Sequence, residues 1–378
     1  MTSIKKIKIL HFFSRGEIGG QEKALYQLFK AFSDDKEFEF GVAIGRQKGF
    51  YSKKIIDLKI PIVELNVTSG FSLKINKEIL YKLRDYPIHH FHDPSPNLIL
   101  LSLLSSSDII RVFTRRGGFY NYRKKGLKIW LKYFINKILI RNFFHGYSGN
   151  TKFAADFVKQ FYKIQNKKIH ILYNGIFFNQ LKPSIPKQKI FRKLDLSESE
   201  FNIGTACHLL KLKRVDLIIR SFSRCNIKGK KLVIFGKGNE KQRLKKLVKD
   251  LKLKNQVLFV GEVPSMADYY QILDCFILAS GKEESFGNSL VEAMYSKIPS
   301  IIIKDNEALK EHISDYQTGF IAEDELDLAT KIEYIFNNPG ISKIIARNAS
   351  SYVVKKYSVS NMIKAYKNFY FDTIGKPE

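Results

Sequence analysis

The feature that most constrains this chain is a rhythm that runs twice. Short apolar runs rich in β-branched and aromatic residues alternate with longer polar or helically periodic stretches. The first series covers 7–13, 39–45, 86–91, 109–114 and 143–147; the second covers 202–207, 231–235, 256–260, 274–279 and 298–303. A short strand followed by a helix is the repeating unit of a parallel sheet, whose strands are buried on both faces and so read as continuous apolar runs. Between the two series lies a polar stretch near 180–200, with Lys182-Pro183 and Ile185-Pro186-Lys187, which reads as an interdomain linker. The expectation is α/β, two Rossmann-like domains in tandem, with a ligand cleft where the C-terminal ends of both sets of strands face each other. At 378 residues the chain can bury two such cores.

Composition narrows the setting. The three cysteines, Cys207, Cys225 and Cys275, are odd in number and lack C-x-x-C spacing, which points to a reducing compartment and away from a disulfide framework or zinc site. Ile9-Leu10-His11-Phe12-Phe13 is too short and polar for a signal-peptide core. No run of about 18 uncharged apolar residues occurs, so no transmembrane helix is expected and any membrane contact must be peripheral. The net charge is +28, and residues 1–180 hold 31 Lys/Arg against 13 Asp/Glu. Such a field attracts phosphates, nucleic acid or anionic lipid without choosing among them.

The most informative stretch is Ala279-Ser280-Gly281-Lys282-Glu283-Glu284-Ser285-Phe286-Gly287-Asn288-Ser289-Leu290-Val291-Glu292. It has the form strand, loop, helix. Backbone N–H groups at such a helix start suit phosphate or sugar oxygens, and Glu292 inside the helix suits the two hydroxyls of a ribose. An alternative reading makes Ser289-x-x-Glu292 a capping box and Glu284 a solvated loop residue.

These residues resemble the retaining GT-B glycosyltransferases of family four, whose E-x7-E signature matches Glu284 to Glu292 with Phe286-Gly287 in place. The likeness extends through Ile298-Pro299, Glu311 and Thr318-Gly319-Phe320, and upstream through 232–238 and 257–261. In the first half Gly19-Gly20 resembles the family's glycine loop, and Tyr173-Asn174-Gly175-Ile176 its turn before the second domain. The resemblance implies the GT-B fold, with an acceptor domain at 1–182, a nucleotide-sugar donor domain at 183–356, and a C-terminal helix at about 357–378 packing back on the first. It also implies retaining sugar transfer from a donor, UDP-linked by expectation, to a glycan or lipid-linked acceptor in bacterial lipopolysaccharide, capsule or other surface-polysaccharide synthesis. Glu284 is then a catalytic residue at the sugar, and Phe286, Gly287 and Glu292 bind the donor.

Gly16, Gly19 and Gly20 suit close backbone approach to a diphosphate, or a plain tight turn. No G-x-G-x-x-G is present, which disfavours a nicotinamide enzyme. The family clamps the diphosphate with an Arg and, five residues later, a Lys. Here Lys213 fits the Lys position but His208 stands where Arg is expected, with Lys211 or Arg214 as substitutes for its charge. A neutral His hydrogen-bonds, and is charged at pH 7 only if phosphates raise its pKa from about 6.5. A solvated basic turn is the alternative.

His89-His90-Phe91-His92-Asp93-Pro94 resembles the family's His-x-His-acid-Pro turn beside the transferred sugar, which makes His92 a second catalytic candidate. Alternation along a strand puts His90 and His92 on one face and His89 on the other, so the set does not converge on a metal. No Asp-x-Asp occurs, so metal-independent transfer without a cofactor is expected, with Lys213, His208, Arg15 or helix N-termini meeting the diphosphate charge.

From 109 to 155 there is no acidic residue, while Arg115, Arg116, Arg123, Lys124, Lys128 and Lys132 are basic. Leu127, Trp130, Leu131, Phe134 and Ile138 recur at helical spacing. A basic, Trp-bearing amphipathic helix suits the inner face of the cytoplasmic membrane, whereas a stripe that is simply core requires those residues to be buried. Two other function classes stay open: a nucleotide-sugar epimerase on the same fold, and a nucleic-acid-binding protein. The latter leaves the paired glutamates unexplained, and no nucleic-acid partner is expected.

Overall fold

The computed structural model describes residues 6–15, 20–46, 50–65, 76–92, 95–117, 126–165 and 167–375. It divides into two units, 1–175 with 359–378, and 176–358. The first runs β1 (Ile7–Arg15), α1 (Gly20–Ala31), β2 (Phe38–Arg46), α2 (Phe50–Asp57), β3 (Ile62–Glu64), α3 (Lys77–Arg84), β4 (Ile88–Phe91), α4 (Pro96–Ser105), β5 (Ile110–Arg115), α5 (Leu127–Phe143), β6 (Gly146–Gly149), α6 (Lys152–Tyr162) and β7 (Ile169–Ile171). The second runs α7 (Lys187–Leu194), β8 (Phe201–Ala206), α8 (Val215–Arg224), β9 (Lys230–Phe235), α9 (Lys241–Asp250), β10 (Val257–Gly261), α10 (Ala267–Tyr270), β11 (Cys275–Leu278), α11 (Asn288–Tyr295), β12 (Ser300–Ile303), β13 (Phe320–Ala322), α12 (Glu325–Asn337) and α13 (Pro339–Lys356). A last helix, α14 (Val359–Ile374), returns to the first unit.

Both sheets are parallel, with strand orders β3-β2-β1-β4-β5-β6-β7 and β10-β9-β8-β11-β12-β13. The central strands are buried on both faces, as their unbroken apolar sequences require: Ile9, Leu10 and Phe12 on β1, and Phe276 and Ile277 on β11, are wholly covered. In each sheet the winding reverses between the first strand and its later neighbour, β1 beside β4 and β8 beside β11. The C-terminal ends of those pairs are the topological switch points, where open α/β sheets bind ligands. Helix α14 buries Met362, Tyr366, Phe369 and Tyr370 in the first unit, with the Tyr370 ring 5.4 Å from Phe38.

Several sequence expectations need correction. The chain leaves the first unit at Gly175/Ile176 rather than at 182/183, and re-enters it at Val359. The supposed linker contains α7, whose Ile190 and Phe191 are buried, while Asp268 caps the preceding turn by accepting the Ser184 and Ile185 N–H groups at 2.6 and 2.9 Å. The run at 143–147 straddles the end of α5 and the start of β6. The edge strands β3, β7 and β13, three residues each, went unread because so short a segment carries no periodicity.

Candidate functional site

The switch point of the second sheet gathers most of the sequence candidates. Strand β8 ends into a turn carrying His208 and Lys213, and β11 ends into the loop carrying Glu284, Phe286 and Gly287. The two are tied together by the Gly281 N–H donating to the Leu212 carbonyl at 2.8 Å, and by the Arg214 Nε donating to the Ala279 carbonyl at 2.8 Å. Lys213 Nζ forms an ion pair with Glu284 Oε2, and both side chains keep under a fifth of their surface in solvent. Burial by itself would raise the Glu284 pKa. The Lys213 ammonium, then the Gly287 and Ser285 N–H groups, more than offset it and hold the carboxyl below its ordinary value. Glu284 is therefore an ionised, anchored group, which excludes a solvated loop residue.

Gly287 is the N-cap of α11, with φ of 68°. A Cβ there would lie 2.6 Å from Leu309 and 2.9 Å from Leu278, so both conformation and space call for glycine. With the cap at Gly287, Ser289 lies inside the helix and the capping-box reading falls. Glu292 sits on the buried side of α11, where the Tyr270 hydroxyl donates to its Oε2 at 3.3 Å. Phe286 is buried against His312 and Tyr357. His208 is half-buried and Lys211 exposed. Arg214 does not stand in for the missing arginine, because its guanidinium is held by both oxygens of Asp305 at 2.7 and 3.0 Å.

Sequence reasoning missed Asn306. Its fully buried amide donates to the Gly281 carbonyl at 2.5 Å and accepts the Leu309 N–H at 3.0 Å, stapling the Glu284 loop to the chain after β12. No motif marks it; only the contact reveals the role.

At the switch point of the first sheet the ring of His92 is buried, and its hydrogen bonds fix its tautomer. The Arg116 Nε donates to His92 Nδ1 at 3.0 Å, so His92 carries its proton on Nε2 and donates to His11 Nδ1 at 2.9 Å. That leaves a buried Nε2–H on His11 with no partner among the described residues. His90, on the same face, contacts the Tyr370 hydroxyl at 2.8 Å and Thr114 Oγ1 at 2.6 Å, while His89 faces the other way onto Ser102 at 2.7 Å. Alternation therefore separates His89, and β1 supplies a third histidine that the sequence reading did not bring in. His11, His90 and His92 each offer a nitrogen within 4.8 Å of the others. Both His92 nitrogens are already engaged and a guanidinium lies against the ring, so the set is arranged as a hydrogen-bonded cluster rather than a cation site. Burial first, then neighbouring charge that includes Arg116, pushes all three below the ordinary histidine value.

Of the remaining candidates, Gly20 is the exposed first residue of α1. Gly16, Gly19, Asp93, Pro94, Arg123 and Lys124 lie outside the described residues, as do the side chains of Arg15 and Lys128. Arg115 and Arg116 do not belong to a surface patch: both are buried, Arg115 over the Phe157 ring at 5.1 Å and Arg116 bonded to His92, to Asn174 at 2.9 Å and to Tyr366. They end a central strand, where side chains turn inward. On α5 the apolar residues are exposed instead: Leu127 by 77%, Trp130 by 43% and Phe134 by 48%, with Trp130 and Phe134 stacked at 5.4 Å and Lys132 exposed beside them. Among these residues the core reading of the stripe fails. No described helix is long and apolar enough to cross a membrane.

Comparison with known proteins completes the description. Residues 186–352 match the model for glycosyl transferases group 1, and residues 18–178 match that for glycosyltransferase family 4. The N-acetyl-alpha-D-glucosaminyl L-malate synthase of Bacillus anthracis is 26% identical over 216 residues, 55% of either chain, so this chain spans about half the length of that relative. The O-antigen biosynthesis glycosyltransferase WclY of Escherichia coli is 27% identical over 71% of this chain and 68% of its own. Among solved structures, HepE of Anabaena in complex with UDP superposes with a TM-score of 0.83 over 97% of this chain and 100% of its own, at 18% identity.

Proposed function

The chain belongs to the GT-B glycosyltransferases of group 1 and family 4, and on that premise we propose that it transfers a sugar, with retention and without a metal, from a UDP-linked donor to a glycan or lipid-linked acceptor of bacterial surface-polysaccharide synthesis. The observation that carries this reading is the ionised Lys213–Glu284 pair at the switch point of the second sheet, one helical start away from Glu292. Lys213 offers a cation to the diphosphate, Glu292 a carboxylate to the ribose, and Glu284 a fixed negative charge beside the reacting sugar, where an oxocarbenium-like transition state builds positive charge. His208 contributes a hydrogen bond in place of the family's arginine, and the resemblance of Gly19-Gly20 to the family's glycine loop supports a donor-binding role for that pair. His92 acts near the sugar through the backbone that its buried ring holds in place. The UDP complex of HepE and the O-antigen role in the name of WclY support the choice of nucleotide and pathway.

The acid-free segment around α5, with Trp130, Phe134 and Lys132 exposed, supports peripheral attachment to the anionic inner face of the cytoplasmic membrane, where each basic residue near the leaflet adds about 1 kcal/mol. Reversal of Lys124 and Lys128 to Glu should then release the protein from anionic vesicles at moderate salt while sparing nucleotide binding.

The test is incubation of the full chain with a panel of nucleotide sugars, following hydrolysis and thermal stabilisation. Stabilisation and slow hydrolysis by at least one UDP-sugar are expected. Salt-steep binding to nucleic acid with no response to any nucleotide sugar would overturn the assignment.

A further inference from the structure

The buried ring of His312 forms part of a chain of hydrogen bonds that ends on Glu284. Its Nε2 lies 2.7 Å from the Phe286 carbonyl, which can only accept, so the proton sits on Nε2. Nδ1 must then accept from the Tyr357 hydroxyl at 2.5 Å. The Phe286 carbonyl shares its peptide plane with the Gly287 N–H, and in a trans peptide the two point in opposite directions. That N–H donates to Glu284 Oε1 at 3.3 Å. One peptide plane is thus gripped by His312 on one side and by Glu284 on the other, and a flip would break both contacts. The rings of Phe286, His312 and Tyr357 pack edge to face at 4.9 to 5.2 Å, closing the pocket around the relay. Tyr357 also stands where the chain leaves the second unit: its carbonyl accepts the Ile176 N–H at 2.9 Å, and the next residue, Ser358, bridges Ile176.

We propose that His312 is a positioning residue for the glycosyl-transfer site, with Tyr357 fixing its tautomer, because it orients the Phe286–Gly287 peptide so that the Gly287 N–H is aimed at the Glu284 carboxylate. The proposal rests on the assignment of Glu284 to the reaction. The neutral ring supplies this donor across the working pH range, since burial pushes its pKa down to about 3.

The test compares His312→Leu, His312→Gln and Tyr357→Phe in the full chain. The leucine variant removes the donor while filling much of the space, and glutamine places an amide donor near the position of Nε2. Two readouts are independent of turnover: the hydrogen-exchange rate of the Gly287 amide and the titration of a 13C-labelled Glu284 carboxyl. In His312→Leu the amide should exchange at least tenfold faster and the carboxyl should titrate at higher pH, with glutamine restoring both in large part and Tyr357→Phe giving a smaller shift of the same sign. UDP-sugar hydrolysis should fall about tenfold in kcat with little change in KM, while calorimetric binding of UDP stays near wild type. Unchanged exchange and titration in a folded leucine variant would overturn the positioning role, as would glutamine failing to restore them. If those two shifts occur but the wild type neither binds nor hydrolyses any UDP-sugar, the relay stands and the assignment of the reaction falls.

Discussion

The two switch points carry the same topology and opposite chemistry. In the first unit, β1 and β4 deliver His11, His90 and His92 into a buried, neutral cluster braced by Arg116, with both His92 nitrogens engaged. In the second, β8 and β11 deliver Lys213 and Glu284 into a charged pair that retains some exposure to solvent. The ammonium of a part-exposed ion pair can turn toward an anionic ligand while the carboxylate keeps the Ser285 and Gly287 N–H groups as donors. A buried neutral cluster exchanges nothing and instead fixes the backbone around it. Under the proposed function the second switch point carries the donor chemistry, while the buried cluster at the first holds the backbone in shape.

Acid is expected to break this pairing most strongly. His11, His89, His90 and His92 are held below the ordinary histidine value, by burial first, with His89 at about 3; in the second unit the described, fully buried counterpart is His312. Because these folded-state values are depressed, the unfolded chain binds more protons below about pH 6.5, so the stability present above that pH is lost as pH falls through the depressed value of each group. Each such histidine contributes about 1.4 kcal/mol per pH unit within the window. Hydrogen exchange followed from pH 7 to 5 should therefore show β1 and β4 opening well before β8 and β11. Equal loss in both sheets would remove the distinction.

Glu284→Ala should cost about 100- to 1000-fold in turnover while leaving UDP affinity near wild type, the size of effect seen when a preorganised charge is removed from a reacting centre. Equal loss of UDP binding would mean that Glu284 serves the nucleotide instead. Lys213→Ala should weaken nucleotide-sugar binding by about 1.5–3 kcal/mol, measured by calorimetry. It also strands the Glu284 carboxylate without its cation, so the titration of that group should move upward. The smallest effect is expected of His208→Arg, which restores the cation of the family pattern and should hold or improve donor affinity. Abolished activity would give His208 an acid or base role.

What the sequence made legible follows from physical range. Central parallel strands are apolar and buried on both faces, so β1, β8 and β11 announce themselves, whereas the part-exposed three-residue edge strand β3 does not. The family resemblance placed Glu284 and Lys213 at one donor site, but their ion pair, between residues 71 apart, was not foreseen. Alternation correctly separated His89 from His90 and His92 but could not supply His11 from another strand. The arginines at the end of β5 look like surface charge in a basic stretch, and only the end of a central strand turns them inward. The exposure of Trp130 was the reverse case, an apolar spacing that a core helix and a surface helix share.

The central claim is that the second switch point binds a nucleotide sugar through Lys213 and Glu292. Calorimetric titration of the wild type and Glu292→Gln with UDP-sugars tests it most directly, because the change removes one charge while keeping the size of the buried side chain and an acceptor for the Tyr270 hydroxyl. The account predicts measurable wild-type affinity for at least one UDP-sugar, weakened about tenfold or more in a variant that melts as a folded protein. Identical affinity in the two proteins would contradict it.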